Sequence, residues 1–584
     1  MVVPILTPRI KRRTVGLVDG LGDDIPPLLK RLYAARGVET AAAVDYRLAR
    51  LAPHTSLGGI DAAADLLADT LEAQRPILIV GDFDTDGATS SALAVRALRA
   101  LGAAEVGYLV PNRFEYGYGL TPEIAALAIA REPALVVTVD NGIANHAGVA
   151  ALRERGIDVL VTDHHLPGET LPNANVIVNP NVPGDAFPSK ALAGVGVMFY
   201  VLIALRGRLR ERGWFAGRGM AEPALADWLD LVALGTVADM VPLDDNNRIL
   251  VEQGLRRMRA GRCTAGIAAL AQVGGRELAR LTPADLGFAI APRLNAAGRL
   301  DDMSVGIECL LTDDADRALA LAAQLDALNR ERREIEAGMR AEALALTEPL
   351  IAGMDGARAA GLCLFEESWH QGVIGLVAGR VKDHAHRPVV AFARADEATL
   401  KGSARSVPGL NIRDVLAAVD AHRPGLLQKF GGHAMAAGLT LAAADLDAFA
   451  AAFDAEVRRA LGGEEPVKQV LTDGELTPDE LTLEVAELLR SAGPWGQGFP
   501  EPLFDGEFGI AATRVVGERH LRLRVRVSDV APPLDAIAFN IDESAITGCE
   551  RIRLVYRPDV NVWRGESRLQ LVVEHLEPIL ARRP

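Results

Sequence analysis

ILIVGDFDTDG, residues 77–87, joins a run of apolar, β-branched residues directly to three alternating aspartates. Two later stretches repeat this arrangement, because LVVTVDNG (135–142) and DVLVTDHH (158–165) also end an apolar run on acidic or imidazole side chains. Ala-rich helical stretches separate the runs, which is typical of βαβ units around a parallel sheet. Ligands bind beyond the carboxyl ends of the strands in such sheets. The sequence therefore predicts an α/β domain whose Asp and His side chains meet in one crevice.

The predicted crevice contains many carboxylates, and Asp239 in LGTVADMVPL (234–243) adds another. Each aspartate alone is equally well explained as a turn or N-cap residue. A calcium-binding loop is excluded, because its twelfth residue is a glutamate and the corresponding residue here is Leu93. Together the carboxylates would repel one another in a cleft of low dielectric, and divalent cations are the natural compensation. Oxygen ligands with imidazole suit Mn²⁺ or Mg²⁺, and two such ions promote phosphoryl hydrolysis, so phosphodiester or pyrophosphate cleavage is predicted.

The bulk properties set broad limits. A chain of 584 residues predicts three or four domains, and its four cysteines have neither disulfide nor zinc spacing. The net charge of −15 argues at first against a nucleic-acid partner, but net charge does not exclude a local basic groove. The longest apolar run, 194–205, is too short to span a bilayer, and the first basic residues follow the apolar ones, the reverse of a secretory signal. We expect a cytoplasmic protein.

The pattern along the chain predicts five regions. They are an N-terminal extension (1–64), the first α/β domain (65–250), a helical region ending in a long connecting helix (251–347), a second α/β domain (348–462) and a strand-rich region that suggests a small barrel (463–584). In the strand RHLRLRVRV (519–527), Arg522, Arg524 and Arg526 share one face. This face would suit the backbone of a nucleic acid, although exposed arginines on an edge strand also resist aggregation.

Several motifs resemble one known family. DFDTDG, DNG and TDHHLPG resemble the DHH phosphoesterase superfamily, and VNPN (178–181), GTVADMVPLDDNNR (235–248), PRLNAAGRLDDM (292–303), GSARS (402–406), KFGGHAMAAG (429–438) and GPWGQGFPEPLF (493–504) are similar to its RecJ family of single-strand-specific DNA exonucleases. The resemblance extends in order from about residue 26 to the C-terminus. It implies a DHH catalytic domain at 65–250, a substrate-binding domain of the DHHA1 type at 348–462 and an OB-fold β-barrel at 463–584.

The resemblance also implies an activity and a site. We expect 5′→3′ hydrolysis of single-stranded DNA to 5′-mononucleotides in recombination and repair, with two Mn²⁺ or Mg²⁺ ions. The expected partners are single-stranded DNA, the single-strand-binding protein and recombination or repair helicases, and we expect a monomer. The positions that match the metal site are Asp82, Asp84, Asp86, Asp140, His164 and Asp239. His165 matches a position that contacts the scissile phosphate, and Asp163 is expected to orient its neighbours; His165, Asp163 and Asp84 are the predicted catalytic residues.

Substrate contacts are predicted in three places. Near the crevice they are Arg113, for which a surface ion pair is the less favoured explanation, and Arg293, Asn295 and Arg299, whose side chains suit backbone phosphates. In the second α/β domain they are Ser403, Arg405, Ser406, Gly431, Gly432 and His433. A Gly-rich turn with a core histidine explains the last three in isolation, and the resemblance reverses that preference. In the barrel they are Arg522, Arg524 and Arg526. We further expect the two α/β domains to close on one strand and exclude duplex DNA.

Two alternatives remain at this point. One is a DHH-type hydrolase of short oligonucleotides or cyclic dinucleotides, which would not need the basic barrel. The other is a catalytically silent protein that binds single-stranded DNA, which the complete set of matching metal positions disfavours.

Overall fold

The computed structural model describes residues 8–111, 119–352, 358–463, 468–517, 520–541 and 543–579. The chain forms two compact units, one from Arg12–Asp326 and Leu471–Pro584 and the other from Met1–Lys11 and Ala327–Val470. The larger unit is therefore discontinuous in sequence. The five predicted domain ranges stay a prediction, because this division is coarser. Among the described helices, none is long and apolar enough to cross a membrane.

The N-terminal third supplies the predicted parallel sheet. Its elements in chain order are β1 (Arg9–Arg12), α1 (Pro27–Ala34), α2 (Ile60–Glu72), β2 (Ile77–Gly81), α3 (Thr85–Ala100), β3 (Val106–Leu109), α4 (Pro122–Ile129), β4 (Leu135–Val139), α5 (His146–Glu154), β5 (Asp158–Thr162) and β6 (Val176–Val178). The sheet has the order β3-β2-β4-β5-β6, and all its described pairings are parallel. Because β3 and β4 lie on opposite sides of β2, the chain reverses direction across the sheet between β2 and β4, which is where ligands bind in such folds.

Both faces of this sheet are covered, which explains why its strands are apolar without alternation. Leu78 and Val80 belong to one core with residues of α4 and α5, while α3 and α6 contact the sheet as well. Every residue of β2 and β4 is buried. The edge at the carboxyl ends of the strands is therefore supported from both sides.

A helical region follows the sheet. Its elements are α6 (Gly194–Glu211), α7 (Trp214–Arg218), α8 (Leu229–Ala238), α9 (Asp245–Arg259), α10 (Ala265–Val273), α11 (Pro283–Asp285), α12 (Ala291–Leu300), α13 (Ser304–Leu311) and α14 (Ala315–Ala352). A π-helical turn, Leu286–Ile290, connects α11 to α12, where Pro292 supplies no N–H for an ordinary helical bond. The 38-residue helix α14 agrees with the predicted long helix, and the boundary between the two units falls within it.

The smaller unit contains the second α/β domain. Its elements are β7 (Leu362–Phe365), α15 (Ile374–Ala385), β8 (Val389–Arg394), β9 (Thr399–Arg405), α16 (Ile412–His422), β10 (Lys429–Gly432), β11 (Ala436–Ala442) and α17 (Leu446–Ala460). The sheet order is β10-β11-β9-β8-β7, and only β7 and β8 are parallel among these pairs. Its core includes Phe392, Phe449 and Phe453, whose rings contact one another.

The C-terminal region forms the predicted small barrel. Its elements are β12 (Gln469–Thr472), α18 (Leu483–Ser491), β13 (Phe504–Val516), β14 (His520–Arg526), β15 (Leu534–Phe539), β16 (Arg551–Trp563) and β17 (Glu566–Ile579). Strands β13-β14-β15-β17-β16 close on themselves, because β16 pairs back to β13, and β1 pairs with β12 in a separate small sheet. The multidomain α/β fold class predicted from the sequence is confirmed.

Candidate metal centre and substrate contacts

The acidic side chains lie together where the sheet reverses its strand order. The register places Gly81, Val139 and Thr162 side by side at the ends of β2, β4 and β5, so the residues that follow come next to one another. Potential metal-ligand atoms lie within 4.8 Å of one another in three groups, which are Asp82, Asp84 and Asp140, then Asp86, His164 and Asp239, and finally Asp140, His164 and His165. All six predicted metal positions therefore belong to one continuous cluster, although their individual roles stay a prediction.

The backbone around α3 fixes two of these carboxylates. Asp84 is the N-cap of α3 and accepts a hydrogen bond from the backbone N–H of Gly87 at 3.0 Å. Asp86 accepts from the backbone N–H groups of Gly194 (2.7 Å) and Val195 (3.0 Å), at the beginning of α6. A helix N-terminus favours a negative charge, so α6 stabilises the buried Asp86 carboxylate.

Two glycines permit this close packing. A Cβ atom on Gly87 would lie 2.4 Å from the carbonyl oxygen of Asp82, and one on Gly194 would lie 2.6 Å from the Cβ of Asp140. Real Cβ atoms do not approach other atoms so closely. The backbone of α6 can therefore touch Asp140 only because residue 194 has no side chain.

Asp163 organises the segment that follows β5. Its Oδ1 accepts hydrogen bonds from the backbone N–H groups of His164 (2.7 Å) and His165 (3.0 Å), and its Oδ2 accepts from the N–H of Ile143 (2.9 Å). The Nδ1 of His165 lies 2.7 Å from the same Oδ1, where it donates to the carboxylate. This geometry fixes the ring of His165 through Nδ1 and leaves the outer nitrogen, Nε2, for other contacts, while the orienting role of Asp163 in catalysis stays a prediction.

Asp163 and His165 also change each other's pKa. Burial alone would raise the pKa of Asp163, but the hydrogen bond and charge of His165 lower the pKa of that carboxyl below its usual value. Burial alone would lower the pKa of His165, but the hydrogen bond and charge of Asp163 raise the pKa of the imidazole to about 9. The same contact keeps a proton on Nδ1 of His165 and so fixes the orientation of its ring.

Three asparagines support the backbone at the ends of these strands. Asn179 Nδ2 donates to the carbonyl oxygen of His165 at 2.9 Å, and Asn181 Nδ2 donates to that of His164 at 2.6 Å. Both belong to the VNPN motif directly after β6. Asn141 Nδ2 donates to the carbonyl oxygens of Val80 (3.0 Å) and Val139 (2.9 Å), so it ties the ends of β2 and β4 together.

The acidic cluster carries more negative charge than the neighbouring groups of the chain neutralise. Burial and the neighbouring Asp84 raise the pKa of Asp86 to about 7. Burial and Asp86 raise the pKa of Asp140 and of Asp239 well above the usual value. His164 Nε2 lies 3.1 Å from Asp140 Oδ1 and 3.5 Å from Asp239 Oδ2, and the latter oxygen is buried without a hydrogen-bond donor among the described residues. Carboxylates and an imidazole converging in this way fit divalent cations.

The substrate contacts predicted near the cluster have different outcomes. Arg113 lies outside the described residues. Arg293 is buried, and its guanidinium bonds to Asp326 and to backbone carbonyls, including that of Ala289. These contacts hold it within the fold, and its contact with a phosphate stays a prediction.

Asn295 and Arg299 lie on α12, beside the turn that carries Asp84. Asn295 Oδ1 accepts from both the backbone N–H and the hydroxyl of Thr85, at 2.9 Å each, so Asn295 supports this turn, and its contact with a phosphate stays a prediction. A Cβ on Gly298 would lie 1.8 Å from the carbonyl oxygen of Phe83, which shows how closely α12 approaches the cluster. Arg299 follows that contact, is half-buried and stays a predicted phosphate ligand.

In the smaller unit, Ser403 and Arg405 share one face of β9, and Arg405 Nη1 donates to Ser403 Oγ at 3.0 Å. Burial lowers the pKa of Arg405. Ser406 is buried and its hydroxyl donates to the carbonyl oxygen of Leu410 at 2.7 Å, so its contact with substrate stays a prediction. Gly431, Gly432 and His433 are exposed at the β10–β11 hairpin, and Gly431 pairs with Gly438, which in turn pairs with Ser403. Small residues therefore leave this part of the sheet open to a ligand.

The barrel strand β14 alternates as predicted. Leu521, Leu523 and Val525 are fully buried, while Arg522, Arg524 and Arg526 are exposed. Asp535 lies 3.2 Å from Arg522 and 4.0 Å from Arg524, so it partly neutralises these two. Arg526 has no carboxylate partner within ion-pair distance among the described residues. The outer face of β14 is therefore basic, and most strongly so at its Arg526 end.

Comparison with known proteins covers the whole chain. Three family models match, namely the DHH family N-terminal domain at residues 76–236, the DHHA1 domain at 358–459 and the RecJ OB domain at 472–575. The chain is 55% identical to the single-stranded-DNA-specific exonuclease RecJ of Dickeya dadantii and 52% identical to that of Escherichia coli, in each case over 98% of this chain and 99% of the relative. The crystal structure of RecJ from Thermus thermophilus in complex with Mn²⁺ superimposes with a TM-score of 0.79 at 32% identity, over 96% of this chain and 77% of that one. The corresponding Mg²⁺ complex gives a TM-score of 0.73 at 29% identity over 96% and 76%.

Proposed function

The chain belongs to the RecJ family of single-stranded-DNA-specific exonucleases, and on this premise we propose that it removes 5′-mononucleotides from the 5′ end of single-stranded DNA with the help of two divalent cations. The observation that carries the proposal is the single cluster of Asp82, Asp84, Asp86, Asp140, His164 and Asp239 at the sheet edge. RecJ structures from Thermus thermophilus have been solved with Mn²⁺ and with Mg²⁺, and these are the ions that we propose.

The proposed roles of the protein groups follow from their positions. The cations, when bound, stabilise the attacking and leaving oxygens of phosphodiester hydrolysis. Asp86 and Asp140 supply buried carboxylates for them, and α6 holds Asp86 in place. Asp163 fixes the imidazole of His165, whose outer nitrogen, Nε2, is then directed to the scissile phosphate. Arg299, beside the turn of Asp84, is the proposed ligand for a neighbouring phosphate.

We propose further substrate contacts away from the cluster. Ser403, Arg405, Gly431, Gly432 and His433 form one candidate anion site in the smaller unit, where glycines allow the backbone to approach a phosphate. The outer face of β14 forms another along the barrel. The proposed partners beyond DNA are the single-strand-binding protein and recombination or repair helicases. We also propose that the protein acts as a monomer in the cytoplasm, within the five domains given above.

Strand polarity and strand specificity can be tested together. The full chain is incubated with Mn²⁺ and single-stranded DNA labelled at either end. A 5′ label should appear at once as mononucleotide, while a 3′ label should remain on progressively shorter strands. A blunt duplex of the same sequence should persist, and EDTA should stop all cleavage. Release of the 3′ label first, equal cutting of the duplex, or cleavage of only the shortest oligonucleotides would each contradict the proposal.

The barrel arginines should act on DNA affinity more than on chemistry. We expect Arg526→Ala to weaken binding of single-stranded DNA and to reduce the slope of log affinity against log salt by about 0.7, the value for one lost phosphate contact. Arg522→Ala should have a smaller effect, because Asp535 already offsets part of that charge. Arg551→Ala is the matched control, since Arg551 is an exposed barrel arginine paired with Glu507. Titrations at several salt concentrations measure the slopes, and an equal loss in all three variants would contradict a binding face on β14.

A further inference from the structure

The turn that follows Asp239 is held by contacts from two separate parts of the chain. Asp239 ends α8, and the next residue, Met240, has a left-handed backbone with φ of +60°. An L residue adopts this conformation at a cost, so the surrounding structure has to maintain it. Asn247 Nδ2 donates to the carbonyl oxygen of Pro242 at 2.9 Å, and Arg248 Nη1 donates to that of Leu243 at 2.8 Å. These contacts come from α9, directly downstream of the turn.

The remaining support comes from a segment about 250 residues later, GPWGQGF (493–499), which we term the buttress loop. The backbone N–H of Leu243 donates to the carbonyl oxygen of Gln497 at 2.7 Å. A Cβ on Gly496 would lie 2.6 Å from Leu243 Cδ1, and one on Gly498 would lie 3.2 Å from Pro242 Cβ. The two glycines thus allow the buttress loop to lie directly against the turn. The motif GPWGQGF alone does not indicate the structural role of these two glycines.

The buttress loop is itself firmly held. Its rings Trp495 and Phe499 stack at 5.1 Å, Arg248 lies over Phe499 at 4.3 Å, and Trp495 Nε1 donates to the carbonyl oxygen of Leu489. The buried guanidinium of Arg36 lies over Trp495 at 5.2 Å.

The same guanidinium of Arg36 makes two hydrogen bonds of 2.9 Å to Asp473, and its Nε donates to the carbonyl oxygen of Pro500 at 2.7 Å. A bidentate pair of this kind, with both side chains buried, resists displacement. A side chain added at Gly498, where it meets Pro242, would therefore displace the turn after Asp239 more readily than the loop, whereas one added at Gly496 meets the side chain of Leu243.

We propose that the buttress loop is a positioning element for the metal centre: by holding Pro242 and Leu243 it fixes Asp239 at the place where it faces His164 and Asp86. Gly496, Gly498 and the carbonyl group of Gln497 are then positioning residues, which touch neither DNA nor metal. The loop lies within the residues that match the RecJ OB domain, whereas Asp239 lies just past the end of the DHH match, which stops at residue 236. The C-terminal region thus has a second role besides the proposed binding of DNA.

This inference rests on the proposed function, because it needs a divalent cation at Asp239. Its test is therefore direct binding of Mn²⁺ to the full chain, measured by calorimetry, together with binding of single-stranded DNA in EDTA. Gly498→Ala is expected to weaken Mn²⁺ binding about tenfold, in line with the loss of other supports of metal ligands, and to leave DNA affinity unchanged. Gly548→Ala is the matched control. Both glycines are left-handed, with φ of +71° and +78°, but a Cβ at Gly548 meets nothing within 4 Å.

The outcomes separate the two proposals. Absence of Mn²⁺ binding by the parent protein would overturn the proposed function itself. Binding by the parent with equal affinities in Gly498→Ala and Gly548→Ala would overturn only the positioning role. If Gly498→Ala does not fold, Gly496→Ala takes its place, and the further change Leu243→Ala should restore Mn²⁺ affinity by removing the atoms that the new Cβ meets. Failure of Leu243→Ala to restore a lowered affinity would also overturn the positioning role.

Discussion

Asp84→Asn is expected to reduce the rate of DNA cleavage at saturating Mn²⁺ by at least ~10³-fold, which corresponds to about 4 kcal/mol of lost transition-state stabilisation. The substitution removes one negative charge from the group formed with Asp82 and Asp140. It keeps the N-cap of α3, because an asparagine side chain accepts the hydrogen bond from Gly87 as well as an aspartate does. The loss should therefore be chemical and not a consequence of unfolding.

Thermal unfolding in EDTA checks this distinction. The variant should unfold at the same temperature as the parent protein or higher, because one of several mutually repelling carboxylates has been neutralised. In Mn²⁺ the order should reverse, since ions that bind only the folded state stabilise it, by about 2.7 kcal/mol at a hundredfold excess over the dissociation constant. Asp313→Asn, an exposed carboxylate in the same unit, serves as the control. Cleavage within about tenfold of the parent rate would mean that Asp84 is not a metal ligand.

The second large effect is expected at the Asp163–His165 pair. His165→Ala should lower the rate of the chemical step by about 10³-fold, because a positioned contact to the scissile phosphate is lost. Asp163→Asn should lower it by about 10²-fold, since an amide cannot accept all the hydrogen bonds that the carboxylate receives from Ile143, His164 and His165.

A double-mutant cycle shows how Asp163 acts. If it works through His165, Asp163→Asn should have little further effect in the His165→Ala background. Single-turnover rates with preformed DNA complexes measure the chemical step without contributions from binding. An undiminished effect of Asp163→Asn in that background would instead assign Asp163 to holding the backbone of the loop, independently of the imidazole.

The features that the sequence predicts are those that follow from a local pattern of residues. Asp82, Asp140 and Asp163 each follow an apolar strand directly, so parallel pairing alone brings them to one edge. The alternation of β14 was equally readable, because a period of two separates buried from exposed side chains. Asp239 is different, since it comes from the end of a helix, and parallel strand pairing does not explain why it lies beside the other carboxylates.

The sequence could not show which polar groups the fold would use internally. Arg293 and Ser406 lie in motifs whose composition suits phosphate binding, but tertiary contacts from Asp326 and Leu410 occupy them. The supporting roles of Asn179, Asn181 and Asn295 were hidden for the same reason. The closure of the barrel through the parallel pair β15 and β17 also depends on contacts that no local pattern encodes.

The buttress loop has a consequence for synthesis of the protein. All the carboxylates of the cluster have been synthesised when translation reaches residue 239. Gln497, whose carbonyl group contacts Leu243, is synthesised only after residues 327–470 of the smaller unit. At translation rates of roughly 5–20 residues per second, this delay is on the order of 10–50 s. During that interval the nascent chain has the metal-binding residues without the final support of their geometry. If the buttress loop positions Asp239 as proposed, we expect full nuclease activity only in a nearly finished polypeptide and a weaker metal affinity in chains that end before Gln497.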